Sequence, residues 1–166
     1  MGRSLPASSS QLDYAAKVRT PFAVLGLREL AGRIIAIDYL SLSSAELAPA
    51  SALAAEASRQ LLAYVDDPEA RFDLPLTRNG TAFEQRVWTT IAKIPAGQVR
   101  TYGDVAKLVR SVPRAVGGAC ARNPLPLIIP CHRVVAAGGR IGGFMGGTDA
   151  APLAIKRWLL RHEGAA

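Results

Sequence analysis

Two short breaks constrain this chain more than any other feature of its sequence. Pro95-Ala96-Gly97 and Ser111-Val112-Pro113 cut an otherwise helix-forming stretch into three runs, none long enough to hold together without tertiary packing. The first, FEQRVWTTIAKI, follows Thr81 with Glu84 three residues on, the form of a capping box, and sets Phe83, Val87, Ile91 and Ile94 on one face. Residues 101–109 form the second run, with Tyr102, Val105, Ala106 and Val109 on one stripe, and RAVGGACAR at 114–122 forms the third. Two short helices joined by a tight break outline a helix-turn-helix, whose second member enters a DNA groove. Gly117 and Gly118 weaken the helical propensity of that member, and with Ala115, Ala119 and Ala121 they keep it slim. A slim helix suits close approach to a sugar–phosphate backbone or packing against another helix, and both can hold at once.

The first half has a different texture. Residues 14–40 alternate apolar and polar positions, with β-favouring runs at 14–19 and 33–40 and a turn signal at Leu30-Ala31-Gly32-Arg33. Alanine and leucine recur at helical spacing over 51–65 until Asp66-Asp67-Pro68 stops them, and 74–76 reads as one more short strand. The chain accordingly divides into a loose tail at 1–10, an N-terminal α/β support domain at 11–78 and a C-terminal domain at 79–166. The expected fold class is mixed α/β (α+β), with antiparallel strands in the first domain and the helix-turn-helix in the second. A hydrophobic fraction of 49% over 166 residues is ample for a core. No apolar run approaches the roughly 20 residues of a bilayer span, and MGRSLPASSS lacks the apolar stretch of a signal peptide, so no membrane partner and no export are expected.

The net charge of +7 is lopsided: residues 1–80 hold 8 Lys/Arg against 9 Asp/Glu, and residues 81–166 hold 12 against 4. A basic, acid-poor half is the electrostatic footprint of a phosphate-backbone binder, although a solvated basic face has the same composition. Cysteine and histidine, absent from residues 1–80, fall at Cys120, Cys131, His132 and His162. Two cysteines make no disulfide framework, and adjacent Cys131-His132 lacks zinc-ligand spacing, so no metal is expected.

Cys131-His132, between Pro130 and a β-branched run, is the chemical centre of the sequence. A cysteine is a strong nucleophile only as a thiolate, which needs a cation, a dipole or a base nearby, and His132 and Arg133 offer a base and a charge within two residues. The prolines at 124, 126 and 130 predict a rigid, extended loop entering a strand at 131–135. In that geometry neighbouring side chains point to opposite faces, and proton transfer from Cys131 to His132 runs through a bridging water. Alone, a cysteine beside IIP reads as a small buried hydrophobe. The glycine-rich GGRIGGFMGG at 138–147 either lets backbone approach a ligand closely or forms a mobile hairpin. A terminal amphipathic helix follows over 150–163, with Leu153, Ile155, Trp158, Leu159 and Leu160 as its apolar residues and Gly164 at its end.

The string RAVGGACARNPLPLIIPCHRVV at 114–135 closely resembles the active-site region of the O6-alkylguanine-DNA alkyltransferases, the methylated-DNA–protein-cysteine methyltransferases. PCHRV at 130–134 matches the family signature, and FEQRVW at 83–88, IPAGQVRTYGDVA at 94–106 and KRWLLRHEG at 156–164 are similar to its other segments. The resemblance implies a ribonuclease-H-like N-terminal domain, a winged helix-turn-helix C-terminal domain, and single-turnover transfer of an alkyl group from O6-alkylguanine to Cys131 after base flipping. It implies that His132 is a water-mediated base oriented by Glu163, that Tyr102 assists nucleotide rotation, and that Arg114 fills the vacated stack. Asn123 would brace the turn before the active site. DNA contacts are implied at Ala115, Gly118, Cys120 and Arg122, and a substrate pocket at Pro126, Val134, Phe144, Met145 and Gly146. In that pocket the carbonyls of Cys131 and Val134 would accept from the guanine amino group, and the Met145 N–H would donate to O6. The family often has Tyr-Ser where this chain has Phe144-Met145. The N-terminal zinc of some relatives has no cysteine or histidine to hold it here.

The resemblance also implies no cofactor and no obligate protein partner. The expected partner is duplex DNA carrying O6-alkylguanine, met in the cytoplasm or at the nucleoid of a bacterium; cooperative self-assembly on DNA stays open. A non-catalytic winged-helix lesion sensor is the alternative; sensors of that kind replace the acceptor cysteine that this chain keeps. A Cys/His hydrolase unrelated to DNA is the third reading, opposed by the basic half.

Overall fold

A computed structural model of the chain describes residues 13–166, so the tail expected at 1–10 lies outside the described residues. The chain separates into two compact units, the first ending at Thr77 and the second running from Arg78 to Ala166.

In the first unit, β1 (Ala16–Arg19), β2 (Val24–Leu30) and β3 (Arg33–Leu40) form an antiparallel meander in the order β1-β2-β3. Ala31 and Gly32 join β2 to β3 with φ of 52° and 75°, the left-handed pair of a tight hairpin turn whose twist matches the strands. The alternation expected over 14–40 gives way to continuous burial at Val24, Leu25, Leu27 and at Ile34–Ile37, as in strands covered on both faces. Helix α1 (Ala52–Asp66) is capped by Ser51, whose hydroxyl accepts from Ala54 N, and it buries Ala54, Ala57, Leu61 and Tyr64. The strand expected at 74–76 is a single bridge instead: Leu76 meets Ile34, with Ile34 N donating to Pro75 O at 2.9 Å.

The second unit runs α2 (Ala82–Ile91), β4 (Arg100–Thr101), α3 (Tyr102–Val109), α4 (Pro113–Ala121), β5 (Val134–Val135) and α5 (Ala150–His162). Thr81 caps α2 as expected, accepting from Glu84 N at 3.1 Å, but the Glu84 carboxylate turns to Arg122 at 3.0 Å instead of closing a capping box. The complete box stands on α3: Thr101 Oγ1 accepts from Asp104 N, and Asp104 Oδ2 accepts from Thr101 N, both at 3.0 Å. Val105, Ala106 and Val109 of α3 are buried with Val116 and Ala119 of α4, and the buried Trp88 of α2 donates its indole N–H to Ala119 O at 2.9 Å. These contacts fix the helix-turn-helix of α3 and α4 on α2. Arg110 makes the sharp exit from α3 with a left-handed φ of 56°. Strands β4 and β5 pair in parallel, Arg100 with Val134 and Thr101 with Val135. No described helix is long and apolar enough to cross a membrane.

Candidate active site

The site begins where α4 ends. Asn123, just past that helix, accepts from Leu125 N at 2.9 Å through Oδ1 and donates through Nδ2 to Ile129 O at 2.8 Å. With Leu127 in a left-handed conformation (φ 74°) and Ile129 N donating to Leu125 O, residues 123–130 close into a tight turn. The extended loop expected from the prolines is therefore not formed. Proline fixes φ but leaves ψ free, and the Asn123 side chain supplies the bonds that curl the segment. Residues Cys131–Arg133 continue as one 3-10 turn before β5 begins, so Cys131 and His132 do not alternate across a strand.

Cys131 is buried, and its sulfur accepts from Asn123 Nδ2 at 3.1 Å. Its thiol also lies within hydrogen-bonding reach of the Cys120 thiol on α4. Two coupled thiols lose their protons as a pair. The hydrogen bond from Cys131 draws the first ionisation, at Cys120, below the ordinary thiol range, and with burial it pushes the Cys131 thiol well up. The Asn123 amide and the Lys156 ammonium pull the other way, favouring a thiolate at Cys131.

His132 is fully buried, and burial holds its pKa below the ordinary imidazole value, so the ring is neutral. Its Nε2 lies 2.7 Å from Glu163 Oε1. Burial alone would raise the Glu163 carboxyl, but hydrogen bonds from His132 and Arg133 outweigh it and bring the pKa to about 2. An ionised carboxylate only accepts, so Nε2 carries the hydrogen and donates it. Nδ1 is then the basic nitrogen, and it is buried with no hydrogen-bond partner. Arg133 clamps the same carboxylate through Nε at 3.0 Å and Nη2 at 2.9 Å, and donates through Nη1 to Ile94 O at 2.6 Å. The charge expected to activate the thiol thus serves Glu163 instead.

The cation at the thiols is Lys156, which the sequence reading did not single out. It is wholly buried on α5, and its Nζ donates to Val134 O and Gly143 O, both at 2.8 Å. Burial lowers its pKa to about 8, while the two cysteines act to hold the proton on. Its position three turns from any break, on a helix read as amphipathic, gave it the look of a solvated side chain. Tyr102, the first residue of α3, donates to Gly143 O at 3.2 Å, and its phenol pKa is raised by burial and then by the two sulfurs. The Lys156 ammonium stands 5.7 Å from the Tyr102 ring centre and 5.9 Å from that of Phe144.

Cys131, His132, Glu163, Asn123, Tyr102 and Cys120 therefore converge. Val134 is buried beside them, its carbonyl engaged by Lys156, while the Cys131 carbonyl accepts from Val134 N. Pro126 sits half-buried in the turn and Phe144 is buried. Phe144 and Gly147 exchange backbone hydrogen bonds around Met145 and Gly146, which turn the chain with φ of 54° and 83° and are exposed. Arg114 stands apart from this cluster, exposed at the start of α4, with Ala115 half-buried next to it. A Cβ added at Gly117 would meet nothing, and one at Gly118 would meet only the Arg122 side chain, so these two glycines serve no internal packing. Arg122 is exposed but ion-paired to Glu84. No group of three or more His, Cys, Asp or Glu among the described residues is placed to hold a metal.

Comparison with known proteins gives a consistent result. A family model described as 6-O-methylguanine DNA methyltransferase, DNA binding domain, matches residues 82–165. The chain is 45% identical over 112 residues to a methylated-DNA–protein-cysteine methyltransferase of Methanosarcina acetivorans, an alignment covering 66% of this chain and 69% of that protein. It is 35% identical over 158 residues to one of Mycolicibacterium paratuberculosis, covering 89% and 94% respectively. Among solved structures, the Mycobacterium tuberculosis O6-methylguanine methyltransferase aligns with a TM-score of 0.76 at 31% identity, covering 89% of this chain and 90% of that one. A structure of Mycobacterium tuberculosis OGT in complex with DNA aligns with a TM-score of 0.73 at 33% identity, covering 89% and 91%.

Proposed function

Because the chain belongs to the 6-O-methylguanine DNA methyltransferase family, we propose that it repairs alkylated duplex DNA directly, by moving the alkyl group from O6 of guanine onto the sulfur of Cys131. The observation that carries this reading is the buried neutral His132, donating through Nε2 to the Glu163 carboxylate and keeping an unpartnered Nδ1 next to the Cys131 turn.

An O6-alkyl carbon inside a stacked duplex is out of reach of a thiolate, so the nucleotide rotates out of the helix, at a cost of a few kcal/mol that is least for a mispaired lesion. Helix α4 lies against the duplex with Arg114 at its leading end, where the guanidinium occupies the vacated stack. Tyr102 helps turn the nucleotide and, once the base is seated, donates to the guanine ring. The base lies against Val134, Pro126 and Phe144, with the carbonyls of Cys131 and Val134 toward its amino group and the Met145 N–H toward O6. The proton of Cys131 passes through a bridging water to His132 Nδ1, and Glu163 stabilises the imidazolium as it forms. Asn123 and Lys156 hold the thiolate. The sulfur attacks the alkyl carbon, the S–C bond forms as the C–O6 bond breaks, and protonated guanine is released into the duplex. The thioether has no route back, so each molecule acts once. The working place is with the DNA in the cytoplasm, at the nucleoid in a bacterium.

The test is intact mass after incubation with a duplex carrying O6-methylguanine. The expected result is a gain of one methyl per molecule, absent in Cys131→Ser. Binding with unchanged mass would replace this reading with that of a lesion sensor, and turnover of an ester or peptide without DNA would replace it with that of a hydrolase.

A further inference from the structure

The transfer chemistry uses one sulfur, yet the fold brings the chain's only two cysteines together. Both are free thiols: Cys120 faces inward from α4 and is half-buried, and Cys131 sits in the 3-10 turn and is buried. Their thiols are within hydrogen-bonding reach, and both sulfurs act on the same two neighbours, the Tyr102 phenol and the Lys156 ammonium. Neither cysteine reaches this contact by local sequence. It is made by the Asn123 turn, which folds the chain back between them and fixes Cys131 through its amide. A partly exposed sulfur with thiolate character beside a second thiol is the arrangement in which oxidation stops at a disulfide.

We propose that Cys120 and Cys131 are a reversible modification site, closing to an intramolecular disulfide when the protein meets a hydroperoxide. The more exposed Cys120 thiolate attacks the peroxide oxygen; an S–O bond forms, the O–O bond breaks, and water or an alcohol leaves. The Cys131 sulfur then attacks the Cys120 sulfenic acid, forming the S–S bond as S–O breaks, and the departing hydroxide takes up the Cys131 proton as water. Two thiols supply the two electrons that reduce one hydroperoxide. Closing from hydrogen-bonding reach to an S–S length of about 2.05 Å needs side-chain rotation and a small shift of the turn, with loss of the Asn123 contact to sulfur. The disulfide blocks alkyl acceptance, keeps Cys131 off the irreversible steps to sulfinic and sulfonic acid, and is undone by a dithiol.

The whole reduced protein is treated with hydrogen peroxide, denatured in N-ethylmaleimide and weighed intact. Wild type is expected to be monomeric, lighter by two hydrogens and free of maleimide, and dithiothreitol should return both maleimide sites. Oxygen added to either sulfur in place of the bridge, retained maleimide reactivity, or a disulfide-linked dimer would overturn the proposal. This readout is independent of alkyl transfer, so it stands or falls separately from the function proposed above. Methyl acceptance, each protein being compared with its own untreated sample, gives the second arm. Wild type recovers in full after dithiothreitol, whereas Cys120→Ala and Cys120→Ser gain oxygen at Cys131 and recover less than about a tenth of theirs. Full recovery in both variants would remove any protective role for Cys120.

Discussion

Glu163 is in an electrostatically awkward place, an acid at the C-cap of α5 where a helix favours cations. It is held there by His132 and by the two-pronged Arg133. A carboxyl whose pKa falls from 4.5 to about 2 on folding contributes stability that is complete above the unfolded value and is lost as pH drops toward the folded one, on the order of 3 kcal/mol in all. His132, neutral when folded, adds a loss of the same sign as pH falls below its ordinary value. Urea unfolding of wild type and Glu163→Gln at pH 7 and pH 3 should therefore show a large gap that narrows in acid; parallel pH profiles would rule out the ion pair as its source. The same substitution lets residue 163 donate to Nε2 and moves the imidazole hydrogen to Nδ1, slowing single-turnover transfer by about a hundredfold. Most of this cluster was legible in the sequence, because Cys131, His132, Asn123, Tyr102 and Glu163 lie in segments that resemble a family. Lys156 and the true partner of Arg133 were not. A cation's partner lies across the fold, and neither periodicity nor local spacing records it.

Among the elements, α4 resolves an ambiguity that its composition left open. A helix of small residues can be slim for an internal neighbour or for an external one, and the sequence supports both. In the structure Ala119 takes the internal role, under Trp88, while Gly117 faces open space. Gly117→Ala should then shift two quantities in opposite directions. The helix gains about 0.5–1 kcal/mol, read as a rise in melting temperature of a few degrees. Affinity for duplex DNA falls, because a methyl group now stands between the helix and the phosphate backbone. A variant that is more stable and binds duplex unchanged would mean that this face does not meet DNA. The helices themselves were readable from their breaks and caps, to within a residue or two. The expected extended loop at 123–135 was not, because prolines report φ alone and the curl depends on one asparagine side chain.

At the scale of the whole molecule, the charge asymmetry follows the division into units: the acid-poor half carries the helix-turn-helix and the site. Binding to undamaged duplex should be nearly indifferent to sequence and strongly salt-sensitive. With three or four phosphates neutralised, a fourfold rise in salt costs on the order of fiftyfold in affinity. A flat salt titration by fluorescence anisotropy would contradict a backbone-led interface. Within that unit, two residue pairs, Arg100 with Val134 and Thr101 with Val135, tie the first residue of α3 to the turn that carries Cys131. Reader and reagent consequently share one piece of backbone. A lineage could not exchange the DNA-reading helices for another set, as modular regulators do, without carrying the nucleophile along. Substitutions that shift one strand must be answered in the other, so lesion recognition and chemistry are inherited as a single trait.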